Sequence, residues 1–457
     1  MKNILQEEAV LLVSAFKWTI LATFVGGVVG LSTAIFLKIL NLGIAIAASY
    51  SYYFLFLPLA MFSSALLVKY LAPDAEGHGT EKVIEAVNKY SGKIKPLVVP
   101  VKLFATVITI ALGGSAGKEG PCAQIGGGLS SIFADILGFD NKDRKKLVIC
   151  GISAGFASVF GTPLAGAIFG VEVLYTGSIL YEVLLPSVIA GIVSYHVTSA
   201  FGITYFYHPL KFVPVFSESI FIEVILAGIF FGLCSLLLIE GMKLFKKLSE
   251  KITIWAPLKG IAGGFILVIL TLLFSKQYLG LGLNAIQTSL EKGEGIIWYA
   301  FILKIIFTSV TLNFGGSGGI ATPIFFIGST AGVLFAKLLG LKSSTFAAIG
   351  LVAVLAGAAN TPISASIMSA ELFGVGITPY ASVACVISFL MTGYRSVYPS
   401  QILAIKKSAS IDVEVGKEVE EIHPRIVTRD RSLIGISRKI VKKIEKQFSR
   451  KRNNPTS

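Results

Sequence analysis

Charge is what this sequence has least of. Asp, Glu, Lys and Arg make up 14% of its 457 residues, against 54% hydrophobic, and the mean hydropathy is +0.77. That excludes a soluble globular protein, because so few charges cannot cover the surface of a chain this long. Cysteine is scarce too. Cys122, Cys150, Cys234 and Cys385 are scattered through apolar sequence at spacings that suit neither a disulfide framework nor a metal site. All four read as small packing residues, and no cofactor or metal is implied. Residues Met1–Val13 lack an arginine-rich region and a small-residue cleavage site, so no removable signal peptide is expected.

Apolar runs are what the chain has instead. Ile20–Leu40, Ser219–Ile239, Ala262–Phe274 and Ala347–Ala359 are examples. A full span needs roughly 20 apolar residues and a re-entrant segment fewer. The uneven lengths predict an all-α polytopic membrane protein with broken and re-entrant helices rather than a plain bundle. Glycine, at 47 residues, fits this reading. In lipid it permits close helix contact and irregular backbone around a cavity. A disordered Gly-rich segment would not carry this much Leu, Ile and Phe.

The net charge of +14 is concentrated at one end. From Ile405 to Ser457 there are 14 Lys and Arg and 7 Asp and Glu, a net of +7. The positive-inside rule makes this tail cytoplasmic. Ile434–Phe448 sets apolar residues at helical spacing among lysines, which predicts a segment lying on the inner lipid surface and not a nucleic-acid-binding arm. The organisation expected is a membrane domain over 1–404 and a basic cytoplasmic tail over 405–457, in a multi-pass protein of the cell membrane.

The membrane domain contains a repeat. Gly113–Gly126 reads GGSAGKEGPCAQIG and Gly315–Gly328 reads GGSGGIATPIFFIG, with seven of fourteen positions shared at an offset of 202. Thr162-Pro163-Leu164 precedes Glu172 by the same spacing as Thr361-Pro362-Ile363 precedes Glu371, at an offset of 199. The chain therefore divides into homologous halves, about 1–205 and 206–404. Equivalent glycine-rich loops that must converge on one site imply inverted topology, with the substrate between the halves.

Each loop opens an apolar helix, Lys118 to Leu137 in the first half and Ile320 to Leu339 in the second. Helix N-termini carry unpaired N–H groups and about half a positive charge, so they bind anions without a buried cation. Helix packing through small residues is the alternative, and the repeat of Gly, Gly, Ser and Pro around each start favours a ligand. GGSAGKEG misses the phosphate-binding P-loop: Leu112 stands where its first glycine belongs, and Glu119 follows Lys118 where Ser or Thr should. A membrane hydrolase with Ser115 or Ser317 as nucleophile lacks a partner base, since His196 and His208 belong to no motif. An enzyme is not expected.

These residues resemble the CLC family of chloride channels and proton-coupled exchangers. Gly117-Lys118-Glu119-Gly120-Pro121 is similar to its G-[RK]-E-G-P motif, and Gly318–Pro323 to its G-x-F-x-P region. Gly77-His78-Gly79 falls where the family has a Gly-Ser-Gly turn, and Ser396-Val397-Tyr398 resembles the start of its last helix. The resemblance implies an inverted-repeat homodimer with one pore per subunit, carrying chloride or a similar small anion and, in coupled members, protons. It makes Glu119 the gate. The anion site would comprise His78, Gly79, Lys118, the amides of Ile320 and Ala321, and the Tyr398 hydroxyl, with Tyr394 a weaker candidate.

Three departures bear on mechanism. His78 replaces the usual serine, and an imidazolium there would give flux a pH dependence near the ordinary histidine range. Ala321 replaces a phenylalanine, widening the inner constriction. Val173 stands where coupled members carry a glutamate on the inner proton route. Glu172 is adjacent, a proton-route candidate with Glu119, but about 100° around the helix. Val173 tips the reading toward a channel-like or weakly coupled protein, with a tightly coupled antiporter as the alternative. Pro121 argues against the fluoride-exporting branch. A proton or cation carrier using Glu119, Glu172 and Glu371 is a more remote reading.

Overall fold

The computed structural model of the chain describes residues 2–205, 207–210 and 217–427. They form sixteen α-helices and two short strand pairs. The first half contains α1 (Lys2–Ala48), α2 (Leu57–Leu71), α3 (Thr80–Lys89), α4 (Val98–Ala111), α5 (Glu119–Ile136), α6 (Asn141–Phe160), α7 (Pro163–Glu172) and α8 (Leu184–Ala200). The second contains α9 (Glu218–Glu250), α10 (Ala256–Leu273), α11 (Leu283–Glu291), α12 (Ala300–Asn313), α13 (Ala321–Leu339), α14 (Ser343–Ala359), α15 (Pro362–Phe373) and α16 (Thr378–Met391). Each helix thus has a counterpart eight places along.

Six helices among the described residues are long and apolar enough to cross a membrane, α1, α2, α8, α9, α10 and α13, the second and third of these counted with the short turn that leads into them. Phe24, Leu31 and Ile35 on α1, Leu226, Leu233 and Leu237 on α9, and Phe265, Ile269 and Leu272 on α10 are exposed. Lipid is the solvent that makes such a surface stable. Several other helices, including α4, α7, α12 and α14, are apolar but shorter. The uneven run lengths of the sequence are these broken helices.

The two halves meet through hydrogen bonds that occur in exchanged pairs. Gly117 N–H donates to Gly319 O at 2.7 Å, and Gly319 N–H to Gly117 O at 2.5 Å, an antiparallel bridge. Ser115 N–H donates to Thr311 Oγ1 at 3.0 Å, and Ser317 N–H to Thr109 Oγ1 at 3.0 Å. The Ser115 and Thr308 hydroxyls are 3.0 Å apart, and those of Thr106 and Ser317 3.1 Å apart. Contacts that reappear with the roles of the halves exchanged are the signature of a local two-fold axis. The glycine-rich loops of the repeat lie on it.

Burial at this junction is steep. α5, α6, α13 and α14 have few exposed side chains, and α5 packs on α6 as α13 packs on α14. All four cysteines are buried and unpaired, as packing residues. Lys102 and Lys304 are fully buried equivalents. The Lys102 ammonium donates to Ala75 O at 3.1 Å and Gly77 O at 2.6 Å, and Lys304 to Tyr278 O at 3.1 Å and Gly280 O at 2.9 Å. Each lysine holds the turn that precedes a short polar helix, α3 or α11, since carbonyls compensate a buried ammonium.

The C-terminal segment differs from expectation. No helix begins at Ser396–Tyr398: residues 392–401 run irregularly before strand β2 (Ile402–Leu403), which pairs in parallel with β1 (Tyr175–Thr176). A helix there is unneeded because Gln401 secures the backbone, donating to Val173 O at 2.7 Å and Ala359 O at 2.8 Å. Asn360, at φ +57°, closes α14 and donates to Gln401 Oε1 and Arg395 O, both at 3.1 Å. Beyond residue 405 the chain folds back as a hairpin of β3 (Ile411–Asp412) and β4 (Arg425–Ile426), packed on Tyr394 and Leu403. The amphipathic segment Ile434–Phe448 lies outside the described residues.

Candidate functional site

The loop between α4 and α5 ends at Lys118, which caps α5, so Glu119 is its first residue. The loop between α12 and α13 ends at Ile320 in the same role. The Gly117–Gly319 bridge holds the two starts together, and two N-terminal dipoles converge on one volume. The third wall is the turn before α3. Gly79 sits at φ +78°, and a Cβ there would lie 2.6 Å from Gly120 O; a Cβ on Gly120 would lie 2.0 Å from His78 O. Only glycine permits this approach, which sets the His78 turn directly on the start of α5.

Glu119 is 2% exposed, and its carboxylate does not stay on its own helix. Oε2 accepts from Thr322 N–H at 3.1 Å, and Oε1 accepts from the Thr322 hydroxyl. A negative group thus occupies the N-terminus of α13, the most favourable place for one. The resemblance put the anion on the amides of Ile320 and Ala321. Both residues are buried at that N-terminus, and the carboxylate takes the next amide along. The carboxylate thus lies beside the amides that the resemblance assigned to an anion.

Tyr398, 1% exposed, packs its ring 5.4 Å from that of His78 and shares a hydrogen bond with Thr80. His78 Nδ1 is buried without a hydrogen-bond partner among the described residues. Lys102 lies under the same turn, bonded to Gly77 O. A second positive charge on the imidazole would meet this ammonium, so the expectation of an imidazolium that draws anions in has no support in the geometry. Lys118 is half-buried at the cap of α5.

Two candidates lie apart. Glu172 accepts from Ile363 N–H at 3.0 Å and Ser364 N–H at 2.8 Å, capping α15. Glu371 does the same for α7, accepting from Leu164 at 3.0 Å and Ala165 at 2.8 Å. They are equivalent across the two-fold, and each supplies the cap that a Thr-Pro helix start lacks. The Tyr394 hydroxyl accepts from Ser408 N–H at 3.2 Å and so serves the C-terminal hairpin. Thr322, Lys102, Lys304 and Gln401 carry much of the local order, yet no sequence argument singled them out. For the lysines a signal existed: two cations at the repeat offset of 202 inside apolar runs.

The sequence matches the profile of the family described as voltage gated chloride channel over residues 59–393. It is 36% identical over 404 residues to a chloride/fluoride channel protein of Pseudomonas syringae pv. tomato, covering 86% of this chain and 88% of that one. The crystal structure of a CLC-type fluoride/proton antiporter is similar at a TM-score of 0.80 and 28% identity, covering 84% and 98% of the two chains. A slow cyanobacterial Cl−/H+ antiporter shares the fold at a TM-score of 0.71 and 22% identity, covering 82% and 94%. Pro121 therefore does not hold the chain apart from proteins whose descriptions include fluoride.

Proposed function

The chain belongs to the voltage-gated chloride channel family, and from that membership we propose that it exchanges a small halide, chloride or fluoride, for protons through the junction of its two halves. The family carries anions across membranes, and the helix content and apolar surfaces agree with a multi-pass membrane protein. The observation that carries the finer reading is the Glu119 carboxylate seated on the Thr322 amide and hydroxyl.

A carboxylate inside the anion site does two things. It blocks the path while charged, and it carries a proton when an anion displaces it and it becomes neutral. Anion occupancy and proton occupancy then alternate at one place, which is the requirement for exchange. Val173 favours a channel-like protein by removing one proton acceptor, but it does not remove this competition. The four-sided setting of Glu119, His78–Gly79, Ile320–Thr322 and Tyr398 is small and rich in N–H donors, which suits a compact anion. The tail side is cytoplasmic in this reading, and the assembly is a homodimer with one pathway per subunit.

Reconstituted protein with simultaneous halide and pH recording tests it. Wild type should drive protons against their gradient when a halide gradient is imposed. Glu119→Gln should abolish proton movement and leave halide flux without pH dependence. Halide flux in wild type with no accompanying proton movement would reject exchange in favour of a channel.

A further inference from the structure

A proton that reaches Glu119 from the tail side needs an acceptor near solvent, and Val173 and Glu172 do not supply one. Val173 has no proton to carry, and both Glu172 oxygens accept from backbone amides at the start of α15. Another carboxylate adjoins the residues of the candidate site. Glu81 lies in the first turn of α3, three residues from His78 and next to Thr80. α3 is polar and lies outside the membrane-length helices. Glu81 Oε1 accepts from Ser400 N–H at 2.9 Å and from the Ser400 hydroxyl. Oε2 is buried with no hydrogen-bond partner among the described residues, and so is Nδ1 of His78 in the same turn.

A carboxylate needs its lone pairs filled when buried, so an oxygen left open in an otherwise well-anchored group marks a place where something transient binds. Between Glu81 and Glu119 stands Tyr398, within electrostatic reach of both and hydrogen-bonded to Thr80. The residues around Glu81 also fix its side of the membrane. Ser400 leads directly into the C-terminal segment, and Lys89, at the other end of α3, pairs with Glu418 of that segment at 3.0 Å.

We propose that Glu81 is the tail-side proton relay of this protein, receiving protons on the buried Oε2 and passing them along Thr80 and Tyr398 to Glu119. The proposal rests on the exchange reading given above. A proton arriving on Oε2 neutralises the carboxylate. Glu81 then gives its proton to the first hydroxyl and becomes a carboxylate again, each hydroxyl along the strip accepts one proton as it releases its own, and the Glu119 carboxylate takes the last and is neutralised. Glu81 remains anchored by Ser400 throughout.

The charged groups facing it are few. Lys82 and Glu85 lie on α3 and pair with each other at 2.9 Å, and both act on Glu81, Glu85 raising its proton affinity and Lys82 lowering it. Ser400 and Tyr398 approach from the C-terminal segment. Burial raises the Glu81 carboxyl to about 7, against the opposing effect of its two Ser400 bonds. A relay works best when its proton affinity matches the working pH.

The test is the ratio of protons to halide moved by oriented proteoliposomes. Glu81→Gln should lower that ratio at least tenfold while halide still crosses. An unchanged ratio, at any absolute rate, overturns the relay while leaving exchange intact. Wild type that moves no protons overturns exchange and the relay with it. Should Glu81→Gln not fold, Ser400→Ala gives an independent answer with the carboxylate in place. Loss of the serine hydroxyl removes a bond to the charged form, so the midpoint of proton flux against tail-side pH should move upward. A midpoint that stays fixed overturns the relay.

Discussion

In the proposed exchange, Thr322 sets how tightly the Glu119 gate is shut. Its hydroxyl and amide are both committed to Glu119. A hydrogen bond to a charged group contributes about 1.5–3 kcal/mol, or roughly tenfold to a hundredfold in an equilibrium. Thr322→Val keeps the shape and the amide but deletes the hydroxyl. The carboxylate loses a donor that an anion resting on the helix amides does without. The half-saturating halide concentration for flux should therefore fall several-fold, and Thr322→Ser should restore the wild-type value. Equal half-saturation in the valine variant would show that the hydroxyl serves anion and carboxylate alike. The matching role of Glu119 is tested by its glutamine variant in the paired flux assay described above.

Among the elements, α7 and α15 are the clearest case of one half completing the other. Both begin Thr-Pro, and neither threonine provides a side-chain cap. Glu371 and Glu172 provide it from across the two-fold. Glutamine in either place keeps one acceptor oxygen and turns an NH2 toward a second N–H donor. Each substitution should lower thermal stability in detergent. The loss should be larger for Glu172, which is 4% exposed, than for the half-buried Glu371, and on the order of 2 kcal/mol for the former. The proton-to-halide ratio should be unchanged in both. A collapse of that ratio in Glu172→Gln would return it to the proton route.

At the scale of the whole molecule, the C-terminal segment is strapped to the membrane domain by charge as well as by packing. Lys89 pairs with Glu418, and Lys407 donates to Asn360 Oδ1 at 2.7 Å and Phe389 O at 2.7 Å. Within the hairpin, Lys406 beside Asp412 and Lys417 beside Glu414 hold both carboxyls below the usual carboxylate range. A depressed carboxyl contributes stability above its unfolded pKa and loses it as pH falls through the folded value. Amide exchange over 411–426 should thus quicken as pH drops below about 4, after correction for the intrinsic rate. Both pairs are exposed, so the effect should be small and should shrink at high salt. An exchange pattern insensitive to pH and salt would leave apolar packing on Tyr394 and Leu403 and the hydrogen bonds of the segment as what holds it.

The sequence by itself determined the chemistry available and the symmetry of its use. Scarce charge and uneven apolar runs required broken helices in lipid. The two glycine-rich segments at an offset of 202 required two similar helix starts. Motif resemblance then singled out Glu119, His78–Gly79, Ile320–Ala321 and Tyr398, because these depend on local spacing that a sequence carries openly. Which groups meet across the halves was a matter for the tertiary structure. The partner of Glu119 is 203 residues away, and those of Glu172 and Glu371 are 191 to 207 residues away. No periodicity encodes such pairs. Glu172, a proton-route candidate by sequence, accepts from the start of α15, and Tyr394, a weaker anion-site candidate, bonds the C-terminal hairpin, and neither contact was legible in the sequence. Lys102 and Lys304 share the repeat offset, but that they anchor turns was not legible, because the carbonyls that hold them carry no side-chain signature. A sequence specifies side chains; the donors that hold these buried charges are backbone atoms, and only the folded chain brings those into reach.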